Sequence, residues 1–209
     1  MLVDDMIQTF VEPPLENNNY VIIDEDEAAL IDCSAPDPAV LAYIKGQGAH
    51  LKYILLTHGH FDHILGVSVL KQQTGATVAV HPSDRPLIGD VSRWTEQILH
   101  QKTDEIPAPD LDLSDGMHLR VGKTDIQVLH TPGHTAGGVC FLIGKNLFAG
   151  DTLFRGSHGR TDLPGGDEAL MQKSLKKLLL LPADTVVYAG HGSATSIGAE
   201  RENISALCG

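Results

Sequence analysis

The stretch YILLTHGHFDHILG, residues 53–66, sets the strongest constraint on what this chain can fold into. A short apolar run bounded by polar residues reads as a buried strand, and it empties into three histidines and an aspartate within six positions. His58 and His60, two apart in an extended segment, project to the same side. Asp62 stands where the backbone turns into a helix beginning near His63, so Asp62 and His63 aim at a point offset from the first pair. Two neighbouring metal ions account for this layout. The plain alternative is a set of loop polars, one of them a helix cap.

Each ion needs about four ligands, and four side chains cannot complete two shells. Three further stretches offer the remainder. LHTPGHTAGG holds His134 in a glycine-rich turn between two strands, FAGDTLF puts Asp151 just past a strand end, and YAGHGS does the same with His191. Strand ends are where a layered fold gathers its active site. Imidazoles and carboxylates without thiolates suit zinc, iron or manganese, and a single carboxylate can bridge two ions.

The rest of the chain frames this site. Runs around turn residues, VIIDEDEAALID, MHLRVGKTDIQVLH and CFLIGKNLFAGD, predict hairpins and much antiparallel sheet. Helices are predicted in PDPAVLAYIKGQG, HILGVSVLKQQTG and GDEALMQKSLKKLLLLP. In the last of these Leu170, Met171, Leu175, Leu178 and Leu179 form a core stripe, and Lys173, Lys176 and Lys177 a solvated face. Residues 82–116, with weak periodicity and the only tryptophan, read as a surface excursion in preference to a lid. No linker divides the 209 residues, so one domain over 1–209 and an α/β body of two packed layers are expected.

Composition removes other classes. A net charge of -12 with no basic run argues against nucleic acid. The acidic start MLVDDMIQTF lacks the cationic and apolar pattern of a leader, and no stretch approaches a membrane span, so a cytosolic protein is expected. Cys33, Cys140 and Cys208 are widely spaced, form no CxxC pair and read as reduced core thiols. His50, His81, His100, His118 and His130 read as surface or structural, while His158, in the loop after Asp151, stays open between the two roles.

The series His58-x-His60-x-Asp62-His63, then His134, Asp151 and His191, resembles the full ligand set of the metallo-β-lactamase fold hydrolases, over nearly the whole chain. The resemblance implies a four-layer αββα sandwich of two mixed sheets flanked by helices. It also implies two divalent ions, zinc foremost with iron or manganese as alternatives: His58, His60 and His134 on one, Asp62, His63 and His191 on the other, Asp151 bridging. Asp62 would both bind metal and orient the attacking water.

Among branches of that family, those with a cysteine ligand, those with a nuclease arm and those with a flavodoxin domain lack counterparts here. GDTLFRGSHGRTDLPGGD and YAGHGSATSIGAEREN resemble the short form of glyoxalase II, which implies a small-molecule acyl-thiol substrate. The GRTD segment also resembles persulfide dioxygenases, which would use one iron on His58, His134 and Asp151. A promiscuous ester or lactone hydrolase and a non-catalytic metal-binding protein are further alternatives. Where glyoxalase II places a lysine and a tyrosine after the bridging aspartate, this chain has Arg160 and Asp162. Arg160 either clamps a substrate carboxylate or pairs with Asp162. The oligomeric state is not decided by the sequence.

Overall fold

A computed structural model describes residues 7–103 and 105–208, without the side chain of residue 208. The expectations for the first six residues and for Cys208 as a core thiol lie outside the described residues. Among the described residues twelve strands form two six-stranded sheets. The first sheet runs β1 (Ile7–Glu12), β2 (Asn17–Asp24), β3 (Glu27–Ile31), β4 (His50–Leu55), β5 (Thr77–Val80) and β6 (Leu111–Asp112), in that order. The second holds β7 (His118–Val121), β8 (Thr124–His130), β9 (Val139–Ile143), β10 (Asn146–Gly150), β11 (Val186–Ala189) and β12 (Thr195–Ser196), again as sequential neighbours.

Both sheets are mixed, because tight turns give antiparallel pairs and helical crossovers give parallel ones. The three hairpins expected from Gly and acidic turns are β2–β3, β7–β8 and β9–β10. Helix α1 (Pro38–Gly46) carries the chain from β3 to its parallel neighbour β4, and α2 (Val67–Thr74) from β4 to β5. The short helices α3 (Arg85–Gly89) and α4 (Val91–Leu99) follow β5. Then α5 (Glu168–Leu178) links β10 to its parallel neighbour β11, and α6 (Ile197–Cys208) closes the chain. Asp37 caps α1 by accepting from Ala39 N, and Asp167 caps α5 by accepting from Leu170 N, satisfying amides that have no partner inside the helix.

The period of two along each strand sorts side chains into three cores. In the first sheet Val21, Ala28, Leu30, Ile54, Val78 and Val80 point outward against Val40, Ile44, Val67 and Leu70 of α1 and α2. Their neighbours Tyr20, Ile22, Ala29, Ile31, Leu55 and Ala79 point inward and meet Ile126, Val128, Phe141 and Phe148 of the second sheet. On that sheet's far side Cys140, Leu147, Ala149 and Val187 pack against Met171, Leu175 and Leu178 of α5 and Ile204 of α6. The result is four layers, helix–sheet–sheet–helix, as the family resemblance implied. The two-layer body expected from residue patterns alone is corrected: strands buried on both faces need a cover on each side.

Two further expectations are corrected. No α-helix begins at His63; a single 3-10 turn spans Phe61–His63, and α2 starts only at Val67. Residues 82–116 are no mere surface excursion, because Ile88 of α3 and Val91 of α4 join the outer core of the first sheet and α4 packs against that 3-10 turn. Its spacing of Val91, Trp94, Thr95 and Ile98 is helical, a signal present in the sequence that the reading of residues 82–116 passed over. Cys33 and Cys140 are buried free thiols, as expected. Among the described residues no helix is long and apolar enough to cross a membrane.

Candidate metal centre

The site lies where β2 begins and β4, β10 and β11 end. Strand β4 is apolar through Leu55 and Leu56, both fully buried, and beyond Thr57 it has no ladder partner, so the chain turns outward through His58 and His60. The 3-10 turn then swings Asp62 and His63 back beneath them. β10 delivers Asp151 and β11 delivers His191 from the opposite sheet. Two glycines permit this convergence. Gly150, at φ 48°, lies so close to Thr57 that a Cβ would meet its Oγ1 at 2.4 Å, and a Cβ on Gly190 would meet Asp151 Oδ1 at 2.4 Å.

All seven candidate ligands are thereby brought together. His58, His60 and His134 form one group, Asp62, His63 and His191 a second, and His58, His63 and Asp151 a third, with the potential ligand atoms of each within 4.8 Å of one another. His60 Nδ1 stands 2.8 Å from His134 Nε2. Asp151 sits between the groups: its Oδ2 is 3.4 Å from His134 Nε2 and 3.7 Å from His191 Nε2, and its Oδ1 is 3.5 Å from His63 Nε2. Asp62 Oδ2 is 3.7 Å from His63 Nε2 and 3.5 Å from His191 Nε2.

The cluster passes a direct test of fitness for metal. His58 Nε2, His63 Nε2 and Asp151 Oδ1 are buried and have no hydrogen-bond partner among the described residues. A buried polar atom without a partner costs about 1–3 kcal/mol, so three such atoms within 4.8 Å of one another call for cations to satisfy them. The other ring nitrogens are committed elsewhere, which fixes the tautomers. His134 Nδ1 donates to the Arg160 carbonyl at 2.7 Å and His191 Nδ1 to the Leu15 carbonyl at 3.2 Å. His63 Nδ1 donates to Asp32 Oδ2 at 2.8 Å, while the Thr57 hydroxyl donates to the same oxygen at 2.8 Å and accepts from His58 Nδ1 at 3.1 Å. Each Nε2 is thus left facing the centre, the arrangement expected of metal-binding imidazoles.

Electrostatics agree. Burial, reinforced by His63 and the other nearby imidazoles, holds His58 well below its ordinary pKa. Burial and His134 push His60 down to about 3, so both are neutral and able to bind metal. Burial alone would raise Asp62, but His63, His191 and Asn17 outweigh it and keep this carboxyl ionised. At His63 burial is likewise outweighed, by Asp32, Asp62 and Asp151, which carry it up to about 10. Without a cation that imidazole carries the positive charge the carboxylates demand; a divalent ion would displace its proton.

Three residues that the sequence reading passed over hold this geometry. Asp32 also accepts from Thr57 N at 2.8 Å, so one carboxylate fixes His63 directly and His58 through Thr57. Asp84, fully buried, accepts from Gly59 N at 3.0 Å, Thr135 Oγ1 at 2.7 Å and Gly137 N at 2.6 Å, tying the His58–His60 loop to the His134 loop. Asn17 donates to Asp62 Oδ2 at 3.1 Å. Asp32 carried the signal that exposed Asp151, a carboxylate one residue past a strand, whereas Asp84 and Asn17 carried none.

The remaining histidines fall outside the centre. His81 and His130 stack with centroids 4.1 Å apart, and His118 pairs with Asp125 at 2.6 Å. His158 donates to the Gly159 carbonyl. Arg160 takes the second of its two arrangements: Nε and Nη2 each donate to Asp162 at 2.7 Å.

A four-layer sandwich of two mixed sheets with a His/Asp cluster at their converging ends defines a metallohydrolase-type site suited to divalent ions. Residues 13–191 match the metallo-beta-lactamase superfamily model, and the chain belongs to that superfamily. It is 40% identical to an uncharacterised protein of Aquifex aeolicus, over 90% of each chain. It is 34% identical to the hydroxyacylglutathione hydrolase GloC of Haemophilus influenzae, over 90% of this chain and 91% of that one. Among solved structures, BLEG-1 B3 metallo-beta-lactamase superposes with TM-score 0.88 at 33% identity, covering 98% of this chain and all of the other. TTHA1623 in a di-iron-bound form gives 0.84 at 38% identity, covering 94% and 98%.

Proposed function

We propose that this protein is a binuclear metal-dependent thioester hydrolase of the glyoxalase II type, converting an acyl-thiol to an acid and a thiol. The observation that carries this reading is the lining of the cavity above the cluster. Its floor is His60, Asp62, His134, Asp151 and His191, all candidate ligands, and its walls are mostly apolar. No further acid stands among the described lining residues to protonate a departing group. An amine needs such a proton, whereas a thiol of pKa about 8.5 can leave as thiolate. Likeness to a hydroxyacylglutathione hydrolase over nine-tenths of the chain supports the same choice.

His58, His60 and His134 would hold one ion, Asp62, His63 and His191 the other, with Asp151 shared; zinc, iron and manganese all suit these donors. When bound, the ions would polarise the carbonyl and acidify a water. The chain's own residues do the rest. Asp62, kept ionised and held by Asn17, accepts a hydrogen bond from the attacking water and aligns it; its low proton affinity makes it an orienting group and not a store for the proton. Asp32 and Thr57 hold His58 and His63 in the tautomers that leave Nε2 free. The apolar walls exclude competing water.

Metal analysis of the purified protein, run beside assays of S-lactoylglutathione hydrolysis and of oxygen consumption with glutathione persulfide, tests this. Two ions per chain and thioester cleavage are expected. One iron per chain with oxygen uptake would move the assignment to a persulfide dioxygenase, for which the Asp62–His63–His191 group is superfluous.

A further inference from the structure

The walls of the cavity hold information that the metal chemistry does not use. The space amounts to about 530 Å3. Leu87, Trp94 and Ile98, from α3 and α4, and Phe154, Leu163 and Pro164, from the segment between β10 and α5, line it. Leu15 and Ile98 continue the apolar surface to the rim, where each is 49% exposed. Both belong to the lining of one cavity, so their exposed apolar surface adjoins the space a ligand would fill. Charge follows the opposite pattern. Arg160 is the one lysine or arginine among the described residues lining the cavity, and Asp162 already takes both of its in-line donors. A thiol bearing free carboxylates would meet an arginine whose charge Asp162 already balances, on a protein of net charge -12. A hydrocarbon group needs no countercharge.

We infer that the cavity selects the hydrocarbon acyl chain of a thioester carried by an uncharged thiol, in preference to an acylated anionic peptide thiol. This rests on the thioester-hydrolase reading above and narrows its substrate. The acyl carbonyl lies at the His/Asp floor and the chain runs along Trp94 and Leu163 towards the rim, where Leu15 and Ile98 cover its end. Helices α3 and α4 are therefore the specificity element of the fold, since they supply Leu87, Trp94 and Ile98.

Trp94, the sole tryptophan, reports occupancy without any turnover. Its fluorescence would be titrated with S-butyl, S-hexyl and S-octyl N-acetylcysteamine, uncleavable thioethers without charge, and with S-hexylglutathione. The dissociation constant is expected to fall about fourfold for each added methylene, the factor that burial of one CH2 group confers. S-hexylglutathione should bind more weakly than its uncharged counterpart. Ile98→Gln, a half-exposed position that leaves the fold intact, should weaken S-octyl binding about fivefold or more. A constant that does not change with chain length, or tighter binding of the glutathione conjugate, would overturn the inference. Faster hydrolysis of S-lactoylglutathione than of an octanoyl thioester of N-acetylcysteamine would overturn it too, while leaving the hydrolase reading intact. If the binding series holds but no thioester is cleaved, the hydrolase reading fails and the apolar selectivity stands.

Discussion

Asp32→Asn is the sharpest perturbation of the centre, because it changes one atom beneath two candidate ligands, replaces no ligand and leaves the cavity lining unaltered. Asp32 has φ 58°, a left-handed conformation that asparagine also tolerates, so the backbone does not confound the result. The carboxylate accepts three hydrogen bonds of 2.8 Å, from Thr57 N, Thr57 Oγ1 and His63 Nδ1. In the variant the amide oxygen can keep Thr57 N, but the amide nitrogen then faces two groups that also donate. His63 can restore a bond only by presenting a bare Nδ1, which moves its proton to Nε2, the atom that must bind metal. Loss of such an orienting partner costs about 10–100-fold in metal affinity, or roughly 1.4–2.7 kcal/mol. Loss of a hydrogen bond to the charged group should also lower folding stability by about 1.5–3 kcal/mol. Titration of metal-free protein against a chelating indicator measures the first effect and thermal unfolding the second. Zinc affinity within about twofold of the parent would refute the tautomer argument, since that lies well inside the loss expected.

Asp84→Ala leaves Gly59 N, Thr135 Oγ1 and Gly137 N without an acceptor in a fully buried place, so stability should fall by about 3 kcal/mol and turnover with it, read by thermal unfolding and a thioester assay. Unchanged melting would show that these loops do not depend on it. Burial and the Asp37 carboxyl push Glu12 up to about 7, above its unfolded value of 4.5. The unfolded chain therefore releases this proton first, and stability falls as pH rises from about 4.5 to 7, by up to about 3 kcal/mol. Glu12→Gln should match the parent near pH 4.5 and melt higher at pH 8; parallel pH profiles would contradict this. Removing metal with a chelator should lower the melting temperature by about 5–10 °C, from the roughly 2.7 kcal/mol that a ligand at a hundredfold its Kd contributes. A melting curve indifferent to chelator and to added zinc, iron or manganese would mean that the cluster binds no ion in solution. Finally, Asp151→Ala should abolish occupancy by two metals and nearly all turnover, measured by metal content per chain and by thioester cleavage, because this carboxylate reaches both groups.

The sequence by itself determined the strands, the hairpins and the candidate ligands, because those depend on local rules. A period of two, a glycine turn or a histidine just past an apolar run is visible in a window of a few residues. His58, His134, Asp151 and His191 each lie just beyond or between strands, so topology could only bring them to a common edge. What tertiary structure decided is everything that depends on which strand ends meet. Asn17 reaches Asp62 across 45 positions, and Asp84 joins residues 25 and 53 positions away in opposite directions. Neither spacing leaves a trace in sequence. The partner of Arg160 was open between a ligand and Asp162 until the loop geometry placed the carboxylate two residues on within 2.7 Å. The cavity wall is the clearest case. Trp94 and Ile98 keep a helical spacing that the sequence does carry, but that they and Leu87 line one cavity follows only from the packing of α4 on the 3-10 turn at Phe61–His63. Local chemistry is written residue by residue, whereas a cavity belongs to the space between elements, which no single stretch of chain encodes.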